Sequence, residues 1–221
     1  MGIIAKDVVR RVQTVLHDSS PAYARWPLAE LTDWINDGAA EVVIRRPAAR
    51  AVTASLVLVA GTRQDIPANG LELMDVIRNM GSDGQTPGRP IRLINRFMLD
   101  EQLPDWHSAA GAVTKHFAFD ERDPTQFWVF PQAVAGNQVE IRYSESPPVL
   151  TPAQVDDGAT EIDLDRAYIG PLTSYVIWRA MSKDSEYGNG AIATQHFTMF
   201  NEALATRNAV TSAVSPNEGA G

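Results

Sequence analysis

Hydrophobic positions follow a helical period over the first fifty residues. Over residues 3–17 apolar side chains recur every three or four positions opposite a basic face, which predicts an amphipathic helix. A second helix is predicted to start at Pro27, which suits a first turn, and to end at Pro47. Its apolar positions are Leu28, Leu31, Ile35 and Val42. The first fifty residues are therefore predicted to form a helical hairpin.

Beyond residue 50 the hydrophobic period changes to two, which is typical of strands. The pattern predicts about six to seven strands between residues 51 and 150. Three of them, over 114–119, 126–130 and 138–143, are predicted to form a meander joined by turn-forming residues. The middle strand concentrates large side chains before Pro131, namely Phe127, Trp128, Val129 and Phe130.

The helical period returns after a connection that is rich in proline and acidic residues. Residues 168–187 are apolar on nearly every side, which predicts a helix buried against several neighbours, and a last helix follows. The predicted fold class is α+β, a helical bundle from both chain ends with an inserted antiparallel β module. The predicted parts are a helical bundle domain at 1–50 and 162–207, a β-rich module at 51–150, a linker at 151–161 and a flexible C-terminal tail at 208–221.

Composition narrows the possible functions. The chain has 221 residues, a formal net charge of −8 at pH 7 and no cysteine. Excess carboxylate argues against electrostatic binding to nucleic acid or to an anionic membrane surface, and the missing thiols exclude disulfides and sulfur chemistry. The N-terminus lacks the apolar region of a signal peptide, and no apolar run approaches the ~20 residues of a membrane span. We therefore expect synthesis in the cytoplasm and no membrane partner.

Residues that could carry chemistry do not form a recognisable motif. The 4 histidines contain no HExxH and no i, i+4 pair, so the sequence predicts no metal site. The acidic stretch from Asp156 to Asp165 lacks the glycine and the terminal glutamate of a calcium loop. Signatures of phosphate loops and of serine nucleophiles are missing as well. The sequence predicts no catalytic residue, no metal, no cofactor and no enzymatic function.

Three stretches, taken in order, resemble a known family. They are WPLAELTDWINDGAAEVVIRRP at 26–47, DPTQFWVFPQAVAGNQVEIRYS at 123–144 and YVIWRAMSKDSEYGNGAIATQHFTMFNEAL at 175–204. Together they resemble the head-to-tail adaptor, or connector, proteins of tailed bacteriophages. The resemblance implies a structural virion protein at the head-tail junction, made in the host cytoplasm. It implies a ring, commonly of twelve subunits, between the portal and a tail or nozzle protein, with genomic DNA passing through the lumen.

The same resemblance suggests which residues take part in assembly. Scaffold and subunit-contact positions match at Trp34, Asn36, Pro131, Lys183 and Asp184. The aromatic strand adds Phe127, Trp128 and Phe130, because a strand can bury one set of rings and direct the other toward a neighbour. By the family pattern, a C-terminal tail would dock on the portal, with candidates Arg207, Val210 and Val214.

A second interpretation of the aromatic strand stays open at this point. Trp128 could stack on a sugar while Asp120, Glu121 and Asp123 provide a paired general acid and base, with Asp120 and Glu121 as the catalytic pair, as in glycoside hydrolysis. That would make the chain a tail-associated carbohydrate-binding or glycan-degrading protein. The neighbouring Asp and Pro residues also suit a tight turn, which favours a structural role for these carboxylates.

Overall fold

The computed structural model describes residues 2–18, 25–120, 122–183 and 186–214, with side chains described as far as residue 205. Within these residues there are six α-helices and ten β-strands. The helices are α1 Ala5–Leu16, α2 Leu28–Arg45, α3 Arg96–Gln102, α4 Pro152–Asp156, α5 Ile169–Met181 and α6 Gly190–Val214. The strands are β1 Gly2–Ile4, β2 Ala51–Val57, β3 Gly61–Asp65, β4 Gly70–Met80, β5 Pro87–Pro90, β6 Arg92–Leu93, β7 His116–Asp120, β8 Asp123–Ala133, β9 Gln138–Glu145 and β10 Glu161–Asp165.

Contacts divide the chain into two compact units. The first comprises Met1–Arg50 with Pro147–Gly221, and the second is Ala51–Ser146. We call the first the helical unit and the second the β module. The linker proposed at 151–161 and the tail at 208–221 stay predictions, and residues 215–221 lie outside the described part of the chain.

The helical unit is built around α5, which contacts α1, α2 and α6. Leu172, Val176 and Ala180 of α5 are fully buried, which explains why this helix is apolar around most of its circumference. Helix α1 contributes only a stripe to the same core, from Ala5 to Leu16. The rest of its surface is polar or charged except for Val15, which is exposed although its spacing in the sequence places it among the apolar positions. The buried faces therefore follow the spacing of apolar residues in each helix.

A two-stranded antiparallel sheet lies in the helical unit and joins the two parts of the chain that form it. Strand β1 pairs with β10, with Ile3 opposite Ile162, and both side chains are buried in the helical core. The backbone N–H of Ala5 then donates to the carbonyl of Thr160 at 3.0 Å. The start of α1 is thus fixed to the segment that precedes α5.

The β module contains two four-stranded sheets with the orders β2-β9-β4-β5 and β3-β8-β7-β6. Their inner faces share one apolar core, which includes Val76, Phe127, Val129, Val139 and Ile141. Alternate residues of β8 and β9 are buried, as expected for strands that have one face on a core. Most pairs are antiparallel, but β6 runs parallel to β7. The predicted three-stranded meander is wrong, because β7 pairs with β8 but β9 lies in the other sheet, between β2 and β4.

The predicted fold class is wrong. The described residues form a mixed structure with ten strands in three sheets, so they are not a helical bundle with an antiparallel β insertion. One sheet, β1 with β10, lies in the helical unit, and the β module includes a parallel pair. Strands β1 and β6 are only three and two residues long, which is too short for a period to be detected in the sequence. Strand β10 does alternate acidic and apolar residues, but it pairs only with β1, at the other end of the chain, and the sequence does not show that pairing.

Helices α2 and α5 approach each other closely at Gly38. A methyl group on Gly38 would lie 2.7 Å from Leu172 Cδ1 and 2.8 Å from Tyr175 Cδ1. Both partners are buried, so neither can move away without disturbing the core. We expect Gly38→Ala to lower the free energy of unfolding by about 1–3 kcal/mol, although alanine is the better helix former.

Urea denaturation of the purified protein measures this effect. Gly170→Ala is the matched control, because Gly170 also lies in a helix and has no neighbouring atom within 4 Å of the added methyl group. We expect the control to be neutral or more stable by up to about 1 kcal/mol. Equal midpoints for the two variants would contradict the close approach of α2 to α5.

Candidate assembly surfaces

The aromatic strand β8 directs its large side chains to two different environments. Phe127 and Val129 are fully buried in the core between the two sheets. Trp128 and Phe130 lie on the opposite face of the sheet and are half-buried. The side chains of the strand therefore alternate between the core and the outer face of the sheet, as the sequence indicates.

The outer face of β8 is partly covered by the chain's own residues 96–108. Trp106 is buried, and its ring lies edge-on to that of Phe130, with centres 6.4 Å apart. The guanidinium of Arg96 lies 4.7 Å from the centre of the Trp128 ring. Asp100 joins these groups, because it accepts a hydrogen bond from Trp106 Nε1 at 2.8 Å and lies 3.7 Å from Arg96 Nε. Part of the surface predicted to face a neighbour is thus packed within the subunit.

Asn36 and Trp34 are positioned by the helical unit. The Asn36 side chain donates to the carbonyl of Leu150 and accepts from its N–H, both at 2.9 Å. It therefore fixes an irregular segment to α2 in the way that a neighbouring strand would. Trp34 is half-buried and packs against the helical core. In the isolated subunit Asn36 therefore stabilises the fold, and its role in assembly stays a prediction.

The remaining assembly candidates lie at the ends of helices. Lys183 Nζ contacts both carboxylate oxygens of Glu30, at 2.7 and 2.8 Å, and so links the end of α5 to the start of α2. Both groups are substantially exposed, so the ion pair contributes little to stability. Asp184 lies outside the described residues, as do the side chains of Arg207, Val210 and Val214 in the last turns of α6.

The carboxylates proposed for glycan chemistry are engaged in a turn. Asp120 accepts a hydrogen bond from the N–H of Arg122 at 3.0 Å, and Asp123 accepts one from the hydroxyl of Thr125 at 3.0 Å. Glu121 lies outside the described residues. One face of the Trp128 ring is occupied by Arg96, which leaves less of it for a sugar. This geometry supports the structural interpretation of the segment better than the catalytic one.

An open cleft of about 550 Å³ lies in the β module and was not predicted from the sequence. Its walls include three exposed apolar side chains, Leu93 at 60%, Phe97 at 71% and Phe119 at 37% exposure. Arg96, Arg122 and Asp120 complete much of the rim. Exposed apolar surface next to cations suits contact with a protein that carries apolar and acidic side chains. Since Phe97 belongs to a short polar helix, the hydrophobic pattern gave no signal for this surface.

The described residues contain no evident metal-binding site. Among them, no cluster of three or more His, Asp or Glu side chains could hold a metal ion. His196 of α6 is half-buried, and desolvation lowers the pKa of its imidazole, which is what packing against apolar neighbours produces. In the same part of the chain, no helix is both long and apolar enough to cross a membrane.

Comparison with known families identifies the kind of protein. The model of the family described as SU10 adaptor protein matches residues 4–219, so the chain belongs to the SU10 adaptor protein family. It is a phage structural adaptor protein, which confirms the resemblance seen in the sequence. The family implies a place in the virion. A search of curated proteins found no match.

The contacts of Asn36 and Lys183 predict different effects of mutation. Asn36→Ala leaves the N–H and carbonyl of Leu150 without their partners, so we expect the free energy of unfolding to fall by about 1–3 kcal/mol. Lys183→Ala removes an exposed ion pair and should cost at most about 1 kcal/mol. Urea denaturation of the isolated subunit measures both. A loss for Asn36→Ala no larger than that for an exposed ion pair, about 1 kcal/mol or less, would contradict the fixing of residue 150 to α2 by Asn36.

Proposed function

We propose that this protein forms a ring-shaped adaptor between the phage portal and the tail, with genomic DNA passing through its lumen. The match to the SU10 adaptor family over residues 4–219 carries the proposal. The ring would contain twelve subunits, as the family resemblance implies, and a tail or nozzle protein would attach to its other side. The role is structural and needs neither catalysis nor a cofactor.

The charge of the chain supports passage of DNA without binding. The formal net charge is −8, so the ring as a whole repels phosphate. A strongly basic lumen would instead hold DNA through release of counterions. DNA could therefore slide through an acidic ring during packaging and ejection without being retained.

Ring closure requires heterologous contacts, in which one surface of a subunit meets a different surface of the next. The cleft around Phe97 is a suitable surface, because it brings several exposed apolar side chains together beside charged groups, and contiguous apolar surface with a polar rim is typical of protein interaction sites. We assign one assembly contact to this cleft. The earlier candidates Trp34, Asn36, Trp128, Phe130, Lys183 and Asp184 remain proposals for the subunit interface. Phe127 is not a contact residue, because its side chain is fully buried in the core of its own subunit.

Mixing the purified protein with the portal of its own phage tests the function. We expect a complex with many copies of the adaptor, visible by light scattering after size exclusion and as a ring under the portal in negative-stain images. Phe97→Ser should weaken this complex without lowering the melting temperature, because Phe97 is 71% exposed. Val134→Ser is the control, since Val134 is 56% exposed and does not line the cleft. If no complex forms at any concentration, the proposed ring under the portal is wrong.

The C-terminal residues offer a separate prediction. Deleting residues 208–221 should leave the fold intact and weaken the docking of the ring on the portal, which we assign to Arg207, Val210 and Val214. A few small apolar side chains can add contacts in a preformed groove, and repetition around a ring multiplies a weak contact. Thermal melting and portal pull-down of the truncated protein measure the two effects. Unchanged pull-down would leave this segment without a role in docking, and a lower melting temperature would place it within the fold.

A further inference from the structure

The β module has four edge strands, β2 and β5 in one sheet and β3 and β6 in the other. An edge strand exposes a row of unpaired N–H and C=O groups, to which another strand can add. Natural proteins usually prevent this with proline, charge, an irregular register or a very short strand. The four edge strands of this module differ in these features.

Three of the edges are protected. Strand β5, Pro87–Pro90, begins and ends with proline, which has no N–H to donate. Strand β3 carries the exposed charges of Arg63 and Asp65 and has an irregular register with β8. Strand β6, Arg92–Leu93, is only two residues long. Addition of another strand to any of them is disfavoured.

The fourth edge, β2, has none of these protections. It is seven residues long, and its register with β9 is regular from Ala51 opposite Ser144 to Val57 opposite Gln138. The sequence contains neither a charged residue nor a proline from residue 51 to residue 62. Within the described part of the chain, β2 pairs with β9 alone. Its outer edge is thus open to an additional strand.

The backbone groups that point outward from β2 can be identified from its pairing. The N–H of Leu58 donates to the carbonyl of Asn137 in β9's preceding turn at 2.7 Å. Because hydrogen-bonded and non-hydrogen-bonded pairs alternate in an antiparallel ladder, the even-numbered residues of β2 bond to β9. The outward N–H and C=O groups therefore belong to Ala51, Thr53, Ser55 and Val57.

We propose that β2 pairs antiparallel with β2 of a second copy of this chain, centred on Ala54. The outward groups are symmetric about this residue, so a two-fold axis at Ala54 relates the two strands. Position 51 of one copy then faces position 57 of the other, and position 53 faces position 55. No charges meet in this register. On the inner face Val52 lies opposite Leu56 of the other copy, and both belong to the side that packs against the apolar core.

No other edge of the module complements β2 as well as β2 itself. The other edges have the prolines, the charges or the short length described above. The contact is small, with seven residues from each copy against about 20–30 in a standard interface, so we expect a dissociation constant of about 10 µM to 1 mM. It is an isologous contact that yields pairs, whereas a ring needs heterologous contacts. A test of the dimer is therefore independent of a test of the proposed ring.

Cysteine cross-linking tests the dimer directly, because the chain has no cysteine of its own. In Ala54→Cys the two Cα atoms across the axis would lie about 4.5 Å apart, which is within the range for a disulfide. Mild oxidation should give a covalent dimer on a non-reducing gel. Thr125→Cys is the control, because Thr125 is an exposed residue on the inner strand β8 and should stay monomeric.

A mixture of two single variants tests the register. Val52→Cys and Leu56→Cys should cross-link with each other, since these positions face each other across the axis. Either variant alone should cross-link poorly, because position 52 would lie about 13 Å along the strand from its own copy. Efficient cross-linking of each variant with itself would overturn the proposed register.

Charge at the edge provides a test that does not depend on cysteine. Thr53→Lys places a cation on the exposed face of β2 and a second one close by in the partner copy. We expect the dissociation constant measured by sedimentation to rise at least about tenfold. Thr125→Lys should leave it unchanged, and melting curves should show that both variants fold.

No dimer in the wild type, no cross-link above the control at position 54, or equal dissociation constants for the two lysine variants would overturn the proposal.

Discussion

The helical unit depends on the pairing of β1 with β10. These strands join residues near the N-terminus to a segment that follows the whole β module, and Ile3 and Ile162 are buried at the join. Helix α1 begins directly after β1, and α5 follows β10 after one short turn. The pairing therefore sets where α5 begins relative to α1. The close approach of α2 to α5 at Gly38 then completes a core made from both parts of the chain.

The β module has a well-packed apolar core, and its surface carries exposed apolar side chains and an unprotected edge strand. Phe127 and Val129 fill the space between the sheets, and Trp106 covers part of the outer face of the same strand. Much of the aromatic content of the chain thus stabilises the module itself. Two of the most exposed apolar side chains of the module, Phe97 and Leu93, lie at the cleft, and the uncharged edge strand β2 does not line it. Both surfaces suit contact with other protein chains, as an adaptor requires.

Membership of the SU10 adaptor family and the arrangement of side chains point in the same direction. Asp120 and Asp123 accept hydrogen bonds within a turn, and Asn36 binds the backbone of Leu150 and so holds it against α2. Polar groups that looked available in the sequence are used for local structure. The cleft around Phe97 and the open edge of β2 have the apolar side chains and unpaired backbone groups that suit contact with other proteins.

The sequence by itself determined the main helices, the alternation of β8 and the family. Long periodic segments such as α2 and α5 are set by the spacing of their own apolar residues, and family motifs are a property of the chain. It did not determine the fold class, because β1 and β6 are too short to show a period, and β10, although its residues alternate, forms a sheet only by pairing with the distant β1. The partial cover of Trp128 and Phe130, and the exposure of Phe97 and Val15, likewise depended on which distant segments pack nearby. Burial is a property of the folded neighbourhood, so only the tertiary structure decided which apolar residues remain for partners.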